Sequence, residues 1–279
     1  AVALCALAVF LVAHRLGLAS PYVVNDDVRQ QLYWMARWLD PSLYPSDLLG
    51  DYAAAYVPQA LKALYFAAAK GCGLDPLAFS KWLTGGLFVV LALAFYGIGA
   101  ALEGRMLGFF CAAMACCLPY FLKNISGGLS RSFAPPLLAL FFLAWVRRSG
   151  AGMALSLLAQ ALFIPYIAVL CAFCACCDAF WARITDRDAG VFPARPWHGA
   201  ALLATAVLVW IFNHGLTTAG FGPLVGREAL AAAPEFTAAG RLELYPLPNP
   251  FFDLVYWPFE SIGLFLDIGL FAGIVSLVA

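Results

Sequence analysis

The sequence is poor in charge. Asp, Glu, Lys and Arg make up 11% of its 279 residues, and only three histidines are present. Soluble domains are about a quarter charged. A soluble fold of this size lacks the interior to hide what remains, 64% hydrophobic residues and a mean hydropathy of +0.86. Acidic and basic residues balance at 16 each, and no basic helix of the kind that tracks DNA occurs, so nucleic acid is not an expected partner. Familiar catalytic signatures are missing too. There is no Gly-x-Gly-x-x-Gly after a strand pattern, no P-loop, no His-Glu-x-x-His, no Cys/His zinc spacing and no Gly-x-Ser-x-Gly. Nucleotide hydrolysis, zinc proteolysis and α/β-hydrolase chemistry therefore have no footing here. The nine cysteines do not form a secreted framework, which would place them in polar loops. Most lie in apolar runs, and Cys174-x-x-Cys177 is flanked by Ala and Phe with no His nearby, which reads as packing in a membrane helix.

What is abundant is long apolar sequence. A spanning helix needs about 20 mostly apolar residues. Candidate spans are 1–19, 83–102, 106–122, 134–146, 198–214 and 258–279. Residues 153–177 form either one helix kinked at Pro165 or two helices, 152–164 and 166–181, turning at Ile164-Pro165-Tyr166. The basic residues favour two. With the first span running outward, Arg105, Arg147, Arg148, Arg183, Arg187 and Arg195 all fall in inner loops, as the positive-inside rule expects. The expectation is an all-α, polytopic membrane helix bundle with about eight spans, forming one domain over 1–279. The chain opens and closes inside apolar runs and has no complete signal peptide, so it reads as a fragment truncated at both ends. Residues 20–82, 123–133 and 215–257 become the outer loops. Two of them are long, and long structured loops are usually functional.

The first outer loop carries the clearest pattern. Residues 25–40 read as a helix, stopped by Pro41, with Val28, Leu32, Met35 and Leu39 on one apolar stripe. Trp34 and Trp38 suit a membrane interface. Asp26 and Asp27 open this helix behind Asn25. Asn25 is a good N-cap, and acids in the first turn oppose the positive end of the helix dipole. Adjacent carboxylates at a membrane surface can equally bind a metal or accept a proton from an attacking hydroxyl. Asp47 and Asp51 stand four apart, on one face of a helix, which reads first as a solvated face, and Pro58 opens a further helix through Lys62 and Tyr65 to Lys70.

This order of elements resembles the GT-C superfamily of membrane glycosyltransferases, which move a sugar from a polyprenyl-phosphate donor on the outer membrane face. The resemblance rests on an acidic pair, Asp26-Asp27, directly after the first span, on a long first outer loop of interfacial helices, on the Phe163-Ile164-Pro165-Tyr166 turn, and on a second outer segment after span seven. The stretch from Asp26 to Asp51, with Gly127-Gly128-Leu129-Ser130-Arg131-Ser132-Phe133-Ala134, is similar to uncharacterised bacterial members. The resemblance implies a bacterial inner-membrane enzyme, with Asp26 or Asp27 as the acceptor-activating or metal-binding carboxylate. A divalent metal is the cofactor this admits. Asp47, Asp51, Lys123 and Arg131 are the candidates for the family's supporting acids and bases.

Such a transfer needs a base for the acceptor proton, a cation for the departing phosphate and a groove for the lipid. Arg131 and Lys123 suit the phosphate, because arginine's planar fork matches phosphate oxygens and Gly127-Gly128 lets backbone N–H groups approach an anion. Headgroup anchoring explains the same two residues. Asp267, inside the last span, is costly unless paired and so is a functional candidate. Gln160 reads as an interhelical hydrogen bond, and His214 as a phosphate donor or an interface histidine. Two other readings stay open: a transporter or lipid flippase, with its site at mid-membrane on broken helices, and a non-catalytic membrane subunit that keeps the fold.

Overall fold

The computed structural model describes residues 1–184 and 196–217, with positions 220, 228 and 232–234 beyond them. The chain divides into two compact units, Ala1–Gly220 and Phe221–Ala279. Nearly all of the second, with the expected span 258–279 and most of the loop 215–257, lies outside the described residues, and the expectation of one domain reaches across it.

Among the described residues the regular secondary structure is all helical. In chain order the helices are α1 (Val2–Ala13), α2 (Arg15–Ala19), α3 (Asp26–Gln31), α4 (Leu48–Tyr56), α5 (Gln59–Cys72), α6 (Pro76–Glu103), α7 (Arg105–Cys117), α8 (Pro119–Asn124), α9 (Ala134–Val146), α10 (Gly150–Phe163), α11 (Pro165–Ile184) and α12 (Pro196–Thr217). Short 3-10 turns cover Tyr33–Trp38 and Ser130–Phe133.

α6 is the axis of the fold, packing on α1, α7 and α9. It starts where Asp75 accepts from the Ala78 N–H at 2.8 Å and Pro76 takes the first helical position, a strong start signal. The expected boundary at 83 was therefore too late: Ser80, Lys81 and Trp82 belong to the helix, and the first loop ends at Asp75. α6 and α7 meet with almost no side chain between them. A Cβ on Gly108 would stand 2.7 Å from the Tyr96 carbonyl oxygen, and one on Gly99 2.7 Å from that of Leu107. By length and composition α6 is the one described helix able to cross a membrane; the other apolar helices are shorter.

Prolines set the remaining breaks. The expected span 106–122 ends at Cys117, because Leu118 precedes Pro119 and turns extended. At Pro165 the two-helix alternative is correct, α10 and α11 being separated at Ile164. α9 matches the expected 134–146, and α12 contains 198–214. The first run, 1–19, is interrupted at His14. Gln160, fully buried, donates from Nε2 to the Leu137 carbonyl at 3.1 Å, the helix-to-helix bond its position suggested.

The described residues form three cores. One joins α1, α6, α7 and α9 around Phe10, Phe88 and Leu91. A second joins α9, α10, α11 and α12 around Phe141, Met153 and Leu157. The third belongs to the first loop and buries Val28, Leu32, Met35, Leu61, Tyr65 and Leu129. There the single expected helix over 25–40 is corrected to an α-turn followed by a 3-10 turn. The Trp34 indole N–H takes the Gln31 carbonyl at 2.8 Å, and Met35 N–H bonds Leu32 instead. The tighter period rotates Leu39 off the apolar stripe, leaving it 43% exposed. Trp34 is buried in this core, not at a surface.

Candidate functional site

Asn25 is the hub of the site. It caps α3, its Oδ1 accepting from the Asp27 N–H at 3.0 Å. The same oxygen lies 3.4 Å from Arg131 Nη2, a donor 106 positions along the chain, while Nδ2 donates to Ser126 Oγ at 3.1 Å. Arg131 Nη1 stands 2.5 Å from Asp27 Oδ2. A segment before α3 and one before α9 are thus tied together through one amide and one ion pair. Both charged partners are part-exposed, so the pair contributes only about 0–1 kcal/mol to stability.

The loop 125–129 is shaped to reach Asn25. Gly127 has φ +94, and a Cβ there would press on Val28 at 3.0 Å. Gly128 has φ +60; a Cβ would stand 2.7 Å from Tyr65 Oη and 2.8 Å from the Ser80 carbonyl oxygen. Tyr65, buried, donates its hydroxyl to the Gly128 carbonyl at 2.9 Å. Ser132 Oγ donates to the Ser126 carbonyl at 3.1 Å and accepts from Leu129 N–H at 3.2 Å. The 3-10 turn holding Arg131 is therefore fixed from both sides.

The other expected residues are distributed unevenly. Asp26 is exposed in the first turn of α3 and turned to solvent. Lys123 is exposed at the end of α8, and only its carbonyl joins the site, accepting from Ser126 Oγ at 2.7 Å. Asp47 and Asp51 serve the loop core. Asp47 caps α4, accepting from Leu49 N–H at 3.2 Å, and receives the Tyr33 hydroxyl. That bond holds its carboxyl below the ordinary range, aided by the Leu49 and Gly50 N–H groups and the Arg37 charge. Tyr33 is pushed up to about 12, by burial and then by Asp47. Asp51 pairs with Arg37 at 3.0 Å. His214, exposed, lies parallel to the Trp210 ring at 5.2 Å on α12. Asp267 lies outside the described residues.

Among the described residues no three His, Cys, Asp or Glu side chains gather as metal ligands. Asp27 gives an oxygen to Arg131, so Asp26 and Asp27 do not by themselves make a metal centre among the described residues.

Two clefts are lined in part by the first loop. One, of about 260 Å³, is bounded by Asn25, Ser126 and Gly127 and floored by Lys81, whose ammonium donates to the Gly17 and Ser20 carbonyls at 2.6 and 2.7 Å. The other, of about 640 Å³, lies between α3 and α4. Tyr56 on its wall has its phenol raised by burial, then by the charges of Tyr52 and Asp27. Sequence reasoning named Asp27 and Arg131 but read Asn25 only as a cap. It passed over Ser126 and Lys81, which have no motif to announce them.

Among the described residues the fold is helical, with an acid–arginine pair held between two loops. No protein-family model, no curated protein and no solved structure matches it.

Proposed function

We propose that this protein is a polytopic membrane glycosyltransferase of the GT-C type, moving a sugar from a polyprenyl-phosphate donor to an acceptor on the outer face of a bacterial inner membrane. The observation that carries this reading is the Asp27–Arg131 pair beside Gly127-Gly128: a carboxylate and a guanidinium in contact, at the exit of the first apolar run. A phosphate arriving at Arg131 competes for the fork that now holds Asp27. As it binds, the Asp27 carboxylate is released to act as general base. The acceptor oxygen bonds the sugar's anomeric carbon, the bond from that carbon to the phosphate oxygen breaks with its electron pair, and Asp27 takes the acceptor proton. Arg131 neutralises the departing phosphate.

The lipid setting is supported by apolar surface. Leu4, Leu16, Met106, Leu155 and Leu203 are each more than 60% exposed, on five different helices, and a lipid phase would cover them. About eight spans follow if α1–α2, α6, α7–α8, α9 with its preceding turn, α10, α11, α12 and 258–279 each cross. The 14 residues of α10 rise about 21 Å, so this span would draw the bilayer thin around it.

The test is transfer of labelled sugar from synthetic polyprenyl-phosphate sugars by the full chain in proteoliposomes carrying envelope lipid acceptors. Asp27→Asn is expected to stop transfer while leaving the thermal unfolding curve in place. Full transfer by both Asp26→Asn and Asp27→Asn would remove the assignment. An epitope inserted at 41–46 should be reached by antibody only from the outer side; access from the cytosolic side alone would end the proposal.

A further inference from the structure

The larger cleft has a composition unlike the rest of the molecule. Its walls carry four tyrosines, Tyr33, Tyr44, Tyr52 and Tyr56, and its remaining polar groups are Arg29, Gln30 and Asp47. At about 640 Å³ it falls within the usual size of small-molecule sites, about 300–1,000 Å³. Tyr33 and Tyr44 meet edge to face at 5.1 Å, and Tyr52 and Tyr56 meet at 5.1 Å with a tilt of 57°. Ring faces are thus set at angles around one space, on two adjacent helices and the turn between them.

Tyr44 adds a second, independent observation. It has φ +54, a conformation that is an outlier for a bulky residue. Such backbone costs about 1–3 kcal/mol and persists where the surroundings over-determine it, typically at ligand sites. Here it turns Tyr44 onto Tyr33. Tyr44 and Tyr52, both lining the cleft, are 42% and 50% exposed, more than a core role requires.

The chemistry of the walls selects the ligand. Arg29 and Asp47 carry opposite charge, so the cleft gives no net attraction to an anion or a cation. Aromatic faces present broad apolar area with a polar tip, matched by a molecule with apolar C–H faces and a hydroxyl edge. Gln30 offers donors and acceptors together, and Asp47 is acceptor only, the mixture that hydroxyl groups satisfy. We propose that this cleft is a saccharide-binding subsite that seats a short neutral glycan, the acceptor of the transfer reaction. This rests on the glycosyltransferase reading above.

The experiment is saturation-transfer NMR on the full chain in nanodiscs, with cellotriose, chitotriose and mannotriose as probes and no donor present. At least one trisaccharide is expected to bind at millimolar concentration or tighter. Tyr52→Ala should weaken that binding about tenfold, Tyr52→Phe should retain it, and Asp27→Asn should leave it nearly unchanged. No saturation from any of the three at 10-fold molar excess over ~1 mM, or binding indifferent to both Tyr52→Ala and Tyr44→Ala, overturns the subsite. Binding by a protein that transfers nothing would uphold the glycan site and remove the transferase. Transfer to a non-glycan acceptor with no trisaccharide bound would do the reverse.

Discussion

Two kinds of acidic position in the first loop invite comparison. At Asp47 and Asp51 every charged or hydroxyl partner is local: Tyr33 and Arg37 each lie 14 residues away, within the same small core. At Asp27 the partner comes from Arg131, beyond five intervening helices, α4 to α8. Local pairs can be assigned to holding α4 against the 3-10 turn. A long-range pair between part-exposed groups adds little stability, and folding alone gives small reason to bring it together. Under the proposed function, the difference assigns the chemical task to Asp27 and a structural one to Asp51.

The largest expected effect tests that separation directly. Asp27→Asn should lower transfer by at least about a hundredfold, the scale of a lost general base, whereas Asp51→Asn, outside both clefts, should leave the turnover of the folded fraction within about threefold. Equal losses, measured in the same liposome assay, would erase the distinction. Arg131→Lys keeps the charge but not the fork; about a tenfold loss is expected, with a raised KM for the donor. On the stability side, Gly128→Ala should cost about 2–4 kcal/mol, because it meets the Tyr65 hydroxyl and the Ser80 backbone. Gly73→Ala has a similar φ of +65 but open space around it, and should cost about 1 kcal/mol. Thermal unfolding of the pair in one detergent compares them. The smallest effect is at Tyr33. Its phenol should ionise near pH 12, with folded pKa raised. The Tyr33–Asp47 link is then intact below the ordinary tyrosine range and lost as pH rises through about 12; at the acid end it fades as Asp47 protonates below its ordinary range. Ultraviolet titration of wild type against Tyr33→Phe should show one high step disappear.

How much of this could be read from the chain varies by element. α9 and the Pro165 break were legible because hydropathy and proline agree there. The start of α6 was not, since the Asp75-Pro76 start signal lies seven residues ahead of the apolar run that set the expected boundary. The break at Pro119 was overlooked in an otherwise continuous apolar stretch. In the loop helix the period was legible but the switch to 3-10 geometry was not, because it depends on where the Trp34 indole finds a carbonyl. Asp27 and Arg131 could be named by residue type. Their contact could not, as it is made by Asn25, Gly127 and Gly128 acting across the fold. The tyrosine cleft was invisible for the same reason: Tyr33, Tyr44, Tyr52 and Tyr56 face one space only because the chain turns at Tyr44.

The bonds around Asn25 also have a direction. The Asp27 amide proton points at the Asn25 oxygen, the Asn25 amino group points at Ser126, and the Ser126 hydroxyl points at the Lys123 carbonyl. An aspartate of the same shape would have no proton to pass on at the second step. The serine would then have to choose between two oxygens, and a second negative charge would bid for Arg131. Conversion of this one side chain from amide to acid, a change of a single functional group, would therefore reverse one link of the relay and loosen the arginine from Asp27 without moving an atom of the backbone.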